Sequence, residues 1–375
     1  MSKLLKDQID LQSIKKLAIL INQQVPNFDM RSLTQVVDQP KWAGLPLMQR
    51  IRTLTLALNN GFKQAQNHTY AECLVYLKAV SIEFKGLFHF LFSDYVACFG
   101  IEHFELSMQA LALFTENSSA EFAIRPFLNT QPERTKSQMV AWSLSDNLHL
   151  RRLASEGMRP KLPWAKHLPW IAENPEWVRP IIENLKSDSR LYVRKSVANL
   201  LNDLSKTQAD WVLDLCEQWN QNQQACSETR WIIKHALRTL LKRAHPKALA
   251  IIGYAGVEHL TLSNWQLVKQ VTVGERLAFS FNLKTKPAES GKTSSNPPLG
   301  HLRLEYALCF LRKQQQPYRK VFKIGEGNYE ASERAFVKSH NFKPISTRTY
   351  YPGVHQIELL INGQVMLKAK FELKN

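Results

Sequence analysis

Three stretches of the chain share one internal order: an acidic or hydroxyl start, an apolar middle, then an apolar residue followed by two basic or polar ones. They are SLSDNLHLRRLASEG (143–157), SDSRLYVRKSVANLL (187–201) and SETRWIIKHALRTLL (227–241). Their equivalent triplets, Leu150-Arg151-Arg152, Val193-Arg194-Lys195 and Ile233-Lys234-His235, stand 43 and 40 residues apart. That period belongs to helical pairs of HEAT or armadillo type, in which each pair covers its apolar face only by stacking on the next. From residue 1 to about 255 apolar residues recur at helical spacing, broken by NQQVPN, DQPKWAG, TENSS and NTQPERT. The expected fold of this part is an α-solenoid of HEAT-like helical repeats, opening on an amphipathic helix from Met1 to Val25.

After residue 260 the spacing changes to period two. WQLVKQVTV, ERLAFSFNLKT, HLRLEYALCFLRK, YRKVFKIG and HQIELLINGQVMLKAKFEL read as strands, with KTKPAESGKTSSNPPLG (284–300) as a polar loop. Asn362-Gly363 between two alternating runs is a strong hairpin signal. About seven strands in roughly 110 residues suit an all-β immunoglobulin-like sandwich, without a disulfide because only Cys309 falls within it. Two domains are expected, residues 1–257 and 258–375.

Charge narrows the class of partner. Forty-nine Lys and Arg against 32 Asp and Glu leave +17, a field that draws in polyanions. Both parts are basic, with 31 cations against 23 anions up to residue 257 and 18 against 9 after it. Equivalent helices of a solenoid line up on one surface, so a basic dipeptide at equal phase becomes a ladder of positive charge. A phosphate backbone is a matching ladder, which makes Arg152, Arg159, Lys161, Arg190, Arg194, Lys195 and Lys234 candidate nucleic-acid contacts. A solvated charged face is the plain alternative.

The apolar run LAILI near the N-terminus is too short for a secretory signal. The greasiest segment, GLFHFLFSDYVACFG (86–100), carries His89 and Asp94 and is shorter than a bilayer-spanning helix, so it reads as a buried helix and no membrane association is expected. Five scattered cysteines with no CxxC pair fit free thiols in a reducing compartment, hence the cytoplasm. Cys216, Cys226, His235 and His245 match no common zinc spacing, so neither a metal nor another cofactor is expected.

Walker loop, GxSxG, HExxH and GxGxxG signatures are absent. Candidate chemistry therefore rests on carboxylates and aromatics. Glu156 follows Arg152 by four residues, which spacing alone explains as a helical ion pair. Yet Gly157, Pro160 and Pro163 end that helix just beyond, and a helix C-terminus disfavours an anion. Glu121 fits a capping box in Ser118-Ser119-Ala120-Glu121. Asp203 lies late in its own helix, again on the wrong side of the dipole, with Lys206 as a possible surface partner. Trp164 of KLPWAKHLPW could plug a seam between repeats; beside carboxylates, its indole face would instead bind a flat cation.

LASEGMRPKLPWA (153–165), the helical repeats across residues 1–255, the basic ladder and the sandwich together resemble the AlkC branch of the AlkC/AlkD family of HEAT-like-repeat DNA glycosylases. The resemblance covers nearly the whole chain. It implies excision of alkylated bases, chiefly 3-methyladenine and 3-methylcytosine, by a monomer acting on double-stranded DNA. By position it implies Glu156 of SEG, Glu121 of SAEF and Asp203 of LLND as the acidic cluster at the lesion and Trp164 of LPW as the aromatic wall. It further implies that residues 258–375 help to clamp the duplex. A non-enzymatic HEAT-repeat scaffold that binds nucleic acid or an acidic protein is the competing reading of the same charges.

Overall fold

The computed structural model describes residues 4–66, 68–221, 225–254, 256–286, 296–312, 317–344 and 349–375. Most of the polar loop expected at 284–300 lies outside the described residues. Helices occupy the chain from Leu11 to Ile252 and strands from Leu260 to Lys374. The chain divides into two compact units, one of Met1–Val212 and Asn222–Ala236, the other of Leu213–Gln221 and Leu237–Asn375.

In the first unit the helix expected over Met1–Val25 is a 3-10 turn, Leu5–Gln8, followed by a helix from Leu11–Gln24. Asp10 causes the break: its backbone is extended and its carboxylate accepts the Ser13 N–H at 2.9 Å, an N-cap that starts a new helix. Ile14, Leu17, Ala18 and Ile21 then form the buried stripe. Likewise, GLFHFLFSDYVACFG forms a 3-10 turn over Gly86–His89 and a helix over Phe90–Phe99, with Leu91, Phe92, Tyr95 and Val96 enclosed. Among the described residues no helix is long and apolar enough to cross a membrane.

His89 is fully enclosed, with its ring 4.9 Å from that of Phe92 and 6.0 Å from that of Phe114. Burial pushes its pKa down from 6.5 to about 4. Because the folded value is the lower one, the unfolded chain binds the extra proton. The neutral ring's contribution is thus fully present above pH 6.5 and is lost as pH falls through about 4. We expect this group to cost about 2 kcal/mol of stability between pH 7 and pH 5. Urea unfolding at both pH values checks it: His89→Leu should lose less stability on acidification than the parent.

The repeat has a physical mark. Arg151 donates Nη1 to the carbonyls of Ser145 and Asp146, both at 2.9 Å. Arg194, at the equivalent position, donates Nη1 to Asp188 and Ser189 at 2.9 and 2.8 Å. Each guanidinium thus reaches back five and six residues to tie down the turn that precedes its own helix. Arg151 also bonds the Asp188 carboxylate at 2.6 Å, linking one repeat to the next.

Among the described residues of the second unit, eight strands form two sheets. They are β1 (Leu260–Leu267), β2 (Gln270–Thr272), β3 (Arg276–Thr285), β4 (Gly300–Phe310), β5 (Tyr318–Tyr329), β6 (Glu333–Asn341), β7 (Gly353–Ile361) and β8 (Gln364–Lys374). The sheet orders are β1-β3-β6 and β2-β8-β7-β4-β5. WQLVKQVTV, expected as one strand, is two: β1 runs antiparallel to β3, and β2 crosses to the other sheet and runs parallel to β8. Strand β6 was not expected, because it is an edge strand and most of ERAFVKSHN is solvent-facing, which blurs the alternation. Phe279 and Phe281 of β3 meet Tyr306 of β4 and Phe371 of β8 in the shared core, and all five cysteines are free.

The Asn362-Gly363 turn forms as expected, with φ of 47° and 79°. Asn362 is buried, accepts the Arg303 N–H at 2.8 Å and donates its own N–H to the Arg303 carbonyl at 2.9 Å. A Cβ on Gly363 would lie 2.6 Å from that of Ala244, so glycine serves both the turn and its packing on the preceding helices.

Candidate active site

Glu156 is the last residue of the helix Leu148–Glu156, whose first turn is capped by Asn147 through the His149 N–H at 2.9 Å. Gly157 caps its C-terminus, and glycine is needed there because a Cβ would lie 2.7 Å from Ile124 Cγ2. Asp203 lies in the last turn of Leu191–Leu204. The two helices approach closely through small residues, with Ser155 Oγ 2.7 Å from Ser196 Oγ. Glu121 belongs to the turn before Ile124–Thr130.

The structure brings these three acids together, all less than 10% exposed. They alternate with cations along one row. Glu121 Oε2 pairs with Arg152 at 2.7 Å, Arg152 reaches Glu156 Oε1 at 3.8 Å, and Arg159 bonds Glu156 Oε1 at 2.6 Å. Arg159 Nε continues to Asp203 Oδ2 at 2.9 Å, and Lys206 closes the row on Asp203 Oδ1 at 2.8 Å. The i to i+4 pair expected for Glu156 is the long contact, and its close partner is Arg159, three residues on. The capping box expected at Glu121 does not form: the helix begins at Ile124 with no side-chain cap, and the Glu121 carboxylate takes the Ser119 hydroxyl and Arg152 instead.

Burial raises the Glu121 pKa, while Arg152 opposes the rise. Both Glu156 and Asp203 stand at the negative ends of their helices, where an anion is disfavoured, and the arginines offset that cost. The oxygens differ in use. Asp203 has both engaged. Glu156 Oε2 and Glu121 Oε1 have no hydrogen-bond partner among the described residues.

Trp164 projects from the loop between the helices Leu148–Glu156 and Pro169–Glu173, with its residue 59% exposed. It is third in a turn closed by the Ala165 N–H on the Leu162 carbonyl, with Pro163 before it, and its φ is 66°. A bulky side chain seldom adopts that backbone. It is therefore not a plug in a seam.

The expected basic ladder separates by use. Arg152 and Arg159 are taken up by the acids, and Arg194 ties down its turn and lies over the Trp231 ring at 5.7 Å. Lys161, Arg190 and Lys195 are exposed, and Lys234 is half-buried. Tyr192, which the sequence did not single out, is exposed and has the Arg152 guanidinium 4.9 Å from its ring centre. Arg125 was also missed. Its hydrogen bonds go to backbone carbonyls 32 to 41 residues further along the chain, a partnership that no local spacing signals.

Residues 115–240, which contain the whole row of acids and Trp164, match the family model described as DNA alkylation repair enzyme. Residues 261–375 match the model of the C-terminal Ig-like domain of uncharacterised protein YhaZ. The chain is 37% identical to the uncharacterized protein YhaZ of Bacillus subtilis (strain 168) over 371 residues, 98% of this chain and 99% of that one. The solved structure of the Pseudomonas fluorescens alkylpurine DNA glycosylase AlkC, bound to DNA containing an abasic site analog, superimposes with a TM-score of 0.89 at 33% identity over 100% of both chains. A likeness of this extent replaces the scaffold reading with an enzymatic one. The chain belongs to the DNA alkylation repair enzyme family, as a DNA glycosylase of its AlkC branch, with HEAT-like helical repeats and a C-terminal immunoglobulin-like domain.

Proposed function

We propose that this glycosylase acts as a monomer on double-stranded DNA, hydrolysing the N-glycosidic bond of 3-methyladenine and 3-methylcytosine. The observation that supports the assignment of roles is the unequal use of carboxylate oxygens. A 3-alkylated base is already cationic and leaves without a general acid, so the protein's task is to stabilise the positive, oxocarbenium-like sugar. Glu156 is the principal catalytic carboxylate: Arg159 holds Oε1, which turns the free Oε2 towards the sugar and the attacking water. Glu121, with Oε1 free, supports the charge from the next position in the row. Asp203, occupied at both oxygens, works through Arg159 as a positioning group.

Trp164 stacks on the cationic base, and Lys161, Arg190 and Lys195 hold phosphates. The test is release of free base from a methylated duplex by the purified protein. Trp164→Ala should slow it roughly 30-fold, the equivalent of the about 2 kcal/mol that a desolvated cation–π contact contributes. A change under threefold would remove the stacking role.

Residues 258–375 clamp the duplex in the same reading, supported by their 18 cations against 9 anions. Their removal should weaken DNA binding and flatten its dependence on salt. An unchanged salt slope would count against the clamp.

A further inference from the structure

Arg125 is 4% exposed, and among the described residues all its hydrogen bonds go to backbone carbonyls. Its Nη1 donates to the carbonyls of Gly157 and Arg159 at 3.1 and 3.0 Å. Its Nε and Nη2 both donate to the Lys166 carbonyl, at 3.1 and 2.5 Å. Burial, with Arg159 nearby, pushes its pKa down to about 10. A buried cation satisfied by backbone oxygens alone is costly, and these three oxygens flank one segment. Gly157 and Arg159 lead out of the helix that ends in Glu156; Lys166 follows Trp164 by two residues.

Between them the chain has no regular structure and is closed at its base by the Leu168 N–H on the Pro160 carbonyl at 3.0 Å. At its tip Trp164 is exposed and left-handed. Such a conformation persists only where its surroundings over-determine it. A planar fork that binds both ends of the loop does that, and an ammonium in its place would not.

We propose that Arg125 is a positioning residue for catalysis, a clamp that fixes the loop 159–166 and so holds the Trp164 indole at a set distance from the Glu156 carboxylate. The proposal rests on the role given above to Trp164. Arg125 touches neither base nor sugar; its effect passes through the loop.

The experiment is a double-variant cycle on the full chain, with single-turnover release of 3-methyladenine from a methylated duplex as the readout. Arg125→Lys keeps the charge and loses the fork. It should slow release at least tenfold with Trp164 present and less than twofold in the Trp164→Ala background, while affinity for duplex DNA stays within twofold. Trypsin should cut the folded Arg125→Lys protein after Lys161 and Lys166 at least ten times faster than the parent. Equal slowing in both backgrounds, or unchanged protection of the loop, would overturn the clamp.

One arm needs no variant and no activity. In the parent protein the Leu168 amide should exchange with deuterium at least a hundredfold slower than in an unstructured peptide. Exchange at the peptide rate overturns the clamp even if Arg125→Lys fails to fold. Conversely, a parent that releases no 3-methyladenine yet protects Leu168 refutes the substrate assignment and leaves the clamp standing.

Discussion

Glu156→Gln is expected to slow base release roughly 10²- to 10⁴-fold, the range that a positioned carboxylate contributes to proton transfer, with duplex affinity nearly unchanged. The substitution preserves shape and the contact to Arg159, and it removes only the charge and the acceptor capacity at Oε2. Glu121→Gln should cost less, because its free oxygen belongs to a carboxyl that burial biases towards the neutral form. Asp203→Asn should act indirectly by loosening Arg159, so its loss should be much smaller in a Glu156→Gln background than in the parent. Rates for the three single variants and that double variant check the division of labour. Parental activity in Glu156→Gln would refute the catalytic assignment.

Removing Arg159 should have the largest effect on stability. Its side chain is only 12% exposed and is the shared partner of Glu156 and Asp203. Among the described residues, truncation leaves Glu156 with only the distant Arg152, and an uncompensated buried charge is strongly destabilising. We expect Arg159→Ala to lower stability by about 3 kcal/mol, read from urea unfolding at pH 7. Adding Glu156→Gln should recover part of the loss, because the orphaned charge is then gone. A loss below about 1 kcal/mol would mean that solvent reaches the row and screens it. Activity should fall as well, since Oε1 of Glu156 is then no longer held.

Much of the fold was legible along the chain. The 43- and 40-residue offsets led to stacked helical pairs, and the change to period two led to a sandwich. The Asn362-Gly363 turn formed where it was expected because its positive φ angles are a local demand that few residues meet. Local rules also failed in identifiable places. Ser118-Ser119-Ala120-Glu121 has the spacing of a capping box, but a cap is worth about 1 kcal/mol and Arg152 offered the carboxylate a charged partner from another helix. Asp10 divided a helix because a short acceptor satisfies backbone donors better than the apolar stripe can bridge them. Strand β6 stayed hidden because an edge strand facing water need not alternate.

Periodicity, turn chemistry and charge act over a few residues, so the order of side chains along the chain carries most of the elements, their repeat and the residue types on hand. Who partners whom is set when the helices pack. Glu121, Glu156 and Asp203 come from three separate segments, and Arg159 joins two of them across 44 positions of chain. Arg125 donates to the carbonyls of Gly157, Arg159 and Lys166, partners that its own neighbours in the chain do not foretell. Which oxygen stays free for chemistry follows from packing between repeats, and no local pattern encodes that, because Coulomb and hydrogen-bond energies depend on distance in space rather than on separation in the chain.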